Sequence, residues 1–237
     1  MVNPVQALVP AAGLSSRMGD FKPLLDLGGK ALAVRTVESL FRGGAARVTL
    51  VLGFRGDELE GVLRREFADP PGVPPRLRFV RNRDFMGTDM LASIKAALAV
   101  MEPGPFFLLP ADMPAVRGDT LRALAKFALA DSAPAHFAPE GYGAESKLVC
   151  FPVRGPARGH PPLISAACIP LIMDWQGGGG LRGLWESLGP ETACFPTDDP
   201  GCFMDADTPE DLARLGEYWL GAYQRGEYRL REHYREH

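Results

Sequence analysis

Three observations predict an α/β fold built on a mostly parallel sheet with crossover helices. Short apolar runs alternate with stretches of helical periodicity through the first half of the chain. One run, residues 106–109, is wholly apolar, as a central parallel strand covered on both faces is. No internal repeat or second hydrophobic core interrupts the pattern, so one domain over 1–223 is expected, followed by a charged tail over 224–237.

Residues 7–9 predict a buried strand that breaks at Pro10 and Gly13, after which small residues lead to Arg17 and Lys22. A turn of this kind presents backbone N–H groups to an oxyanion cluster because no side chain blocks the approach, and two cations nearby make it a phosphate cradle. Ala33, Val37, Leu40 and Phe41 share a helical face that stops at Gly43–Gly44, and residues 47–52 return as a strand. Leu59, Val62, Leu63 and Phe67 mark a second helix, closed by turn-rich residues 69–75. A third strand over 77–81 precedes a helix carrying Leu91, Ile94, Leu98 and Met101, opened by Thr88 or Asp89.

The fourth strand, 106–109, runs directly into Pro110-Ala111-Asp112-Met113-Pro114, and a helix over 120–129 turns Leu121, Leu124 and Ala128 inward. Residues 130–146 are rich in Ala, Pro and Gly and offer only a short strand at 136–138. A strand over 148–153 leads to Arg154-Gly-Pro-Ala-Arg-Gly-His-Pro-Pro. Gly177 to Gly180, either a lid or a linker, precede a short helix through Leu184 and Trp185. After a strand near 193–195, Thr208 as N-cap, Pro209 at the first helical position and Asp211 as capping-box acid open a last helix buried through Leu212, Leu215 and Trp219.

With 26 Lys and Arg against 29 Asp and Glu, the net charge of -3 gives no bias toward nucleic acid or an anionic membrane, so any anion site must be local. No apolar stretch is long enough to span a bilayer and no signal-peptide pattern opens the chain, which makes a soluble cytoplasmic protein the expectation. Cys150, Cys168, Cys194 and Cys202 form no CxxC pair and read as reduced thiols, with zinc a distant alternative.

In an open parallel sheet the loops after the strands share one edge, where ligands bind. That edge would gather residues 13–22, Asn82 and Asp112, the parts needed for a nucleoside triphosphate and a hard metal ion. A Walker loop ending at Gly29-Lys30 is excluded by Leu24 and Ala31, and Gly13-Leu-Ser-Ser-Arg lacks the later glycines of a dinucleotide fingerprint.

The stretch Pro10-Ala-Ala-Gly-Leu-Ser-Ser-Arg-Met-Gly-Asp-Phe-Lys-Pro-Leu-Leu resembles the signature of nucleotidyltransferases with a glycosyltransferase-A-like fold. It is most similar to the molybdenum cofactor nucleotidyltransferases, in particular the cytidylyl branch. Leu109-Pro-Ala-Asp112-Met-Pro114, Arg158-Gly-His160-Pro161 and Asp205-Ala-Asp207-Thr-Pro-Glu-Asp211-Leu agree in the same order. The resemblance runs from about Gln6 to Leu215 and implies a three-layer sandwich with a mostly parallel, Rossmann-like central sheet of the nucleotide-diphospho-sugar transferase type.

The roles it implies are specific. Ala11, Ala12, Gly13, Leu14 and Ser15 would hold the nucleotide, Arg17 and Lys22 the triphosphate, and Asn82 and Gly87 would shape the base or ribose pocket. Asp112 would ligate Mg²⁺, or alternatively Mn²⁺, together with Asp207 or, as the alternative, Asp205. Arg158 and His160 would face the second substrate, and Arg17, Lys22 and Asp112 would carry catalysis. The Ala11-Ala12 pair resembles the cytidylyl branch, which implies transfer of CMP from CTP to the phosphate of a molybdenum pterin. The alternatives are a GTP-using or sugar- or alcohol-phosphate transferase of the same fold, or a non-catalytic pterin carrier that docks on a molybdoenzyme through its aromatic tail.

Overall fold

The computed structural model describes residues 4–13, 20–87, 89–129 and 147–224. The expectations for Leu14, Ser15, Arg17, Thr88, the strand at 136–138 and residues 225–237 of the tail lie outside them.

Strand β1 (Gln6–Ala11) is central, pairing in parallel with β2 (Val48–Leu52) on one side and β4 (Phe106–Leu108) on the other, while β3 (Leu77–Arg81) extends the parallel ladder beyond β2. Along β1 the side chains alternate between two core layers: Ala7 and Val9 enter one, Leu8 the other. Both faces of β1, β2 and β4 are covered, which is why these three carry largely apolar runs, whereas β3 at the edge carries Arg78 and Arg81 and is mostly half-buried. The order β3-β2-β1-β4 puts the point where the winding reverses between β1 and β4, so the crevice lies at the C-terminal ends of those two strands.

The strand does not break at Pro10, contrary to the sequence reading. Pro10 pairs in register with Val51 and Ala11 with Leu52. A proline fits because its nitrogen faces the β4 side, where the ladder has already ended at the Leu8–Leu108 pair, while its carbonyl still accepts from the Ala111 N–H at 3.3 Å.

Three helices connect these strands: α1 (Leu32–Arg42), α2 (Gly56–Glu66) and α3 (Met90–Leu98). With α4 (Gly118–Ala128), the first two cover the face of Ala7 and Val9 through Val37, Leu40, Leu59, Leu63, Leu121 and Leu124. Fully burying each such side chain stabilises the fold by about 1.5–3 kcal/mol. Helix α4 starts at Gly118, ahead of the expected Thr120, with Asp119 placed favourably in its first turn.

The opposite face is covered by α3, α5 (Cys168–Asp174) and α6 (Gly180–Leu188), through Ile94, Ile172 and Leu184. The sheet continues through β5 (Val149–Arg154), β6 (Ala157–Arg158), β7 (Leu163–Ile164) and β8 (Thr192–Pro196). Strand β7 runs antiparallel to both β4 and β5. Val149 pairs with both Ile164 and Thr192, and Val153 with both Arg158 and Pro196, so β6 and β7 share one side of β5 and β8 occupies the other. Helix–sheet–helix layering with a mostly parallel sheet is thus the observed architecture.

The glycines leading into α6 are exposed, but two close approaches shape the turn: a Cβ at Gly177 would meet the Trp175 ring at 2.4 Å, and one at Gly183, inside α6, the Gly178 carbonyl oxygen at 2.1 Å.

Helix α7 (Pro209–Gln224) opens with the expected capping box. The Thr208 N–H donates to Asp211 Oδ2 at 2.9 Å and the Asp211 N–H to Thr208 Oγ1 at 3.2 Å. Its buried face, Leu215 and Trp219, packs on Leu27 and Leu32. Gly28, at φ +62°, lies so close to Trp219 that a Cβ would meet ring atom Cζ3 at 2.4 Å, and the Arg35 guanidinium stacks 4.4 Å from the ring centre.

Candidate active site

A cleft of about 350 Å³ opens at the C-terminal ends of β1 and β4. One wall is Ala11, Ala12 and Gly13 with Lys22; Pro110, Ala111 and Asp112 form another; Phe85, Asp89, Met90 and Ser93 close it. The first wall is fixed from behind, since a Cβ on Gly53 would meet the Ala12 carbonyl oxygen at 2.5 Å.

Lys22 begins a 3-10 turn, Lys22–Leu24, whose entry is anchored by Phe21. Phe21 is buried, with its ring edge-on to Phe54 at 5.7 Å, and Asp20 pairs with Arg55 at 2.7 Å. That packing buries the Lys22 stem and delivers its ammonium 2.5 Å from Asp207 Oδ1 and 3.7 Å from Asp112 Oδ2. Asp112 follows β4 directly, in a segment held by the Thr36 hydroxyl, which donates to the Ala111 carbonyl at 3.0 Å.

Asp207 comes from a stretch tied to Asp112 by backbone, for the Ala206 N–H donates to the Asp112 carbonyl at 3.2 Å. A second tie is Asp199, fully buried, which accepts from the Arg117 N–H at 2.9 Å and the Gly201 N–H at 3.0 Å. Burial raises the Asp112 carboxyl above its ordinary range; the Lys22 ammonium opposes this, and the charges of Asp205 and Asp207 add to it.

Of the residues singled out from sequence, Ala11, Ala12, Gly13, Lys22 and Asp112 line the cleft. Asp207 meets them through Lys22, and Asp205 acts on Asp112 electrostatically. Asn82 stands behind the wall: its amide donates to Ser93 Oγ at 2.9 Å and its carbonyl accepts from the Asp84 N–H at 3.1 Å. Gly87 lies in the exposed turn before α3, donating to the Asp84 carbonyl at 2.9 Å, and is outside the cleft lining.

Arg158 and His160 are also outside that lining. Arg158 stacks on the Phe151 ring at 4.8 Å. His160 is held by its N–H on the Cys202 carbonyl at 2.8 Å. Burial pushes its imidazole below the ordinary histidine range, against the Leu108 backbone and the charge of Asp205. The Leu108 carbonyl is available to the ring for a simple reason. Its opposite residue, Pro162, accepts the Leu108 N–H at 3.1 Å but has no N–H to return.

Phe85, Met90 and Ser93 were not singled out from the sequence. Ser93 carried a usable signal, a polar residue on the inward face between Leu91 and Ile94, and it is buried.

Among the described residues no group of three or more His, Cys, Asp or Glu side chains forms a ready metal cage. The residues present nevertheless fit a small hard cation. Two carboxylates, Asp112 and Asp207, already share the Lys22 ammonium, and Mg²⁺ is commonly held by one or two carboxylates with substrate phosphates completing the shell.

A mostly parallel sheet with its cleft at the switch point, a buried lysine and two carboxylates make an α/β site suited to a phosphorylated ligand. The chain matches the MobA-like NTP transferase domain over residues 7–192 and belongs to that family of nucleotidyltransferases. It is similar to the molybdenum cofactor cytidylyltransferase of Escherichia coli (strain K12), at 23% identity over 213 residues, covering 90% of this chain and 96% of the relative. A nucleotidyl transferase from Methanothermobacter thermautotroptrophicus shares the fold at TM-score 0.73 and 23% identity, covering 93% of this chain and 99% of that one. A Mycobacterium tuberculosis H37Rv protein solved in complex with manganese does so at TM-score 0.65 and 20% identity, covering 92% and 100%.

Proposed function

We propose that this nucleotidyltransferase transfers CMP from CTP to the phosphate of a molybdenum pterin and releases pyrophosphate. The observation that carries the proposal is the convergence of Lys22, Asp112 and Asp207 beside the Ala11-Ala12-Gly13 backbone at the switch point. The Escherichia coli relative supports the choice of base and acceptor, as does the resemblance of the Ala11-Ala12 pair to the cytidylyl branch.

No protein nucleophile is required. A terminal phosphate oxygen of the pterin attacks the α-phosphorus in line; one P–O bond forms as the bond to the bridging oxygen breaks, and pyrophosphate leaves with the electron pair. Backbone donors after β1 and the Lys22 ammonium neutralise charge on the phosphates and hold attacker and leaving group aligned. Arg17 is assigned to the same triphosphate. Asp112 and Asp207 would hold Mg²⁺, or Mn²⁺, which supplies Lewis-acid stabilisation of the phosphate oxygens when bound. Asn82, through Ser93, shapes the base or ribose pocket, while Arg158 and His160 are assigned to the pterin side. Among the described residues no helix is long and apolar enough to cross a membrane, and the reading keeps the enzyme in the cytoplasm. Handing the product to a molybdoenzyme would fall to the 224–237 tail, testable by truncation.

Thermal shift with CTP, GTP, ATP and UTP in Mg²⁺ tests the base: a nucleotide at a hundred times its dissociation constant stabilises by about 2.7 kcal/mol. CTP is expected to give the largest shift, and a GTP preference overturns the assignment. Pyrophosphate release from CTP and the pterin tests the acceptor.

A further inference from the structure

Building on the proposed nucleotide and metal site, we infer that Lys22 is a placeholder for the divalent cation and thereby sets the order of binding. Its ammonium sits between the two carboxylates assigned to the cation, 2.5 Å from Asp207 Oδ1 and 3.7 Å from Asp112 Oδ2. One cation occupies the space where another has to be held, and two positive charges cannot share the Asp207 oxygen without repulsion.

The position is enforced rather than incidental. The Lys22 residue is only 9% exposed, its backbone carbonyl accepts the Leu25 N–H at 3.0 Å, and Phe21 anchors the turn before it. The backbone beside Asp207 is fixed as well: the preceding Ala206 is tied to the Asp112 carbonyl, and α7 starts two residues later. Burial of the Lys22 stem thus directs its ammonium at the two carboxylates.

A triphosphate arriving along the Ala11–Gly13 wall offers the ammonium stronger anionic acceptors. Once drawn to them, Lys22 leaves Asp207 and Asp112 to a divalent cation, which then contacts the same phosphates. Nucleotide binding and metal binding are therefore positively coupled, and the free protein holds the metal weakly. The coupling is reciprocal, as linkage requires.

The test uses Mn²⁺ alone, with its binding followed by electron paramagnetic resonance on the full chain. Lys22→Met and Lys22→Gln, the second keeping a polar stem should the first fold poorly, are expected to bind Mn²⁺ about fivefold to tenfold more tightly than the unsubstituted chain, a tenfold gain corresponding to about 1.4 kcal/mol. Removing any nearby positive charge would raise cation affinity to some degree, so each variant is also made with Asp207→Asn. If Lys22 competes for Asp207, the gain falls to less than twofold in that background; a gain that persists shows diffuse charge and overturns the inference. Unchanged or weaker Mn²⁺ binding in both Lys22 variants also overturns it. Asp112→Asn is expected to weaken Mn²⁺ binding in every background, and an equal affinity there assigns the ion elsewhere and overturns it too. These outcomes are independent of whether CTP is the preferred nucleotide.

Discussion

Replacing Asp112 with asparagine separates what its charge does for turnover from what that charge does to the fold. The carboxylate lies 3.7 Å from the Lys22 ammonium, an attraction of roughly 4 kcal/mol at an effective dielectric of 20. Its titration is nonetheless shifted upward, so burial, joined by the charges of Asp205 and Asp207, outweighs that attraction. A folded-state value raised above the unfolded one means that the stability tied to the protonated form is present at low pH and lost as pH rises through the folded value. In metal-free buffer at pH 8 the unsubstituted chain carries the ionised, disfavoured form, whereas asparagine carries none. Asp112→Asn is therefore expected to melt at a higher temperature than its parent in that buffer. The gap should close as pH falls toward 3, where both side chains are neutral. Pyrophosphate release should meanwhile fall by a factor of about 10²–10³, the usual loss for one electrostatic contact to a transition state. Differential scanning calorimetry in EDTA across that pH range, with a turnover assay alongside, measures both. A variant less stable than its parent at pH 8 would mean that the Lys22 pair dominates, and the electrostatic account of the site would be wrong.

Further outcomes follow from other contacts. Gly28→Ala should destabilise the chain by about 3 kcal/mol in urea, combining roughly 1–2 kcal/mol of left-handed strain with displacement of Trp219; a loss below about 1 kcal/mol refutes the packing at φ +62°. Asp199→Asn replaces a fully buried acceptor of two backbone N–H groups and should lose about 2–4 kcal/mol, read by the same melts. Burial pushes the Cys150 thiol up to about 12, that of Cys168 up to about 11, and that of Cys202 upward as well, while Cys194 is exposed. A thiol reagent at pH 8 should thus modify Cys194 rapidly and the other cysteines only on unfolding, checked by mass spectrometry.

Strands β1, β2 and β4 were legible because they are buried on both faces, and the helices between them because they are amphipathic, signals that survive in a single sequence. The capping box of α7 was legible for a different reason: Thr208 and Asp211 bond each other locally, with no help from the rest of the fold. What escaped notice depends on neighbours distant in sequence. Pro10 read as a strand end, yet it sits harmlessly where β4 stops, a fact set by residues a hundred positions away. Strands β6 and β7 are two residues each, too short for any periodicity, and exist because β5 offers them an edge. In the site, Lys22 and Asp112 stood out as charges beside small-residue turns, and both line the cleft. Phe21 carried no signal of its own in the sequence, but its burial aims the lysine that follows it. Arg158 and His160, singled out by resemblance alone, lie beyond the cleft lining, on Phe151 and the Leu108 backbone.

The contact of Trp219 with Gly28 bears on how the protein is made. Synthesis runs from the N-terminus, so the Lys22 turn and the β1–β4 ladder emerge early, long before Asp207 and the helix that seats on residues 25–32. A growing chain can assemble its sheet while the site still lacks one carboxylate and one wall of packing. The second carboxylate of the site, Asp207, is therefore set beside Lys22 only when the last helix seats on Leu27 and Leu32.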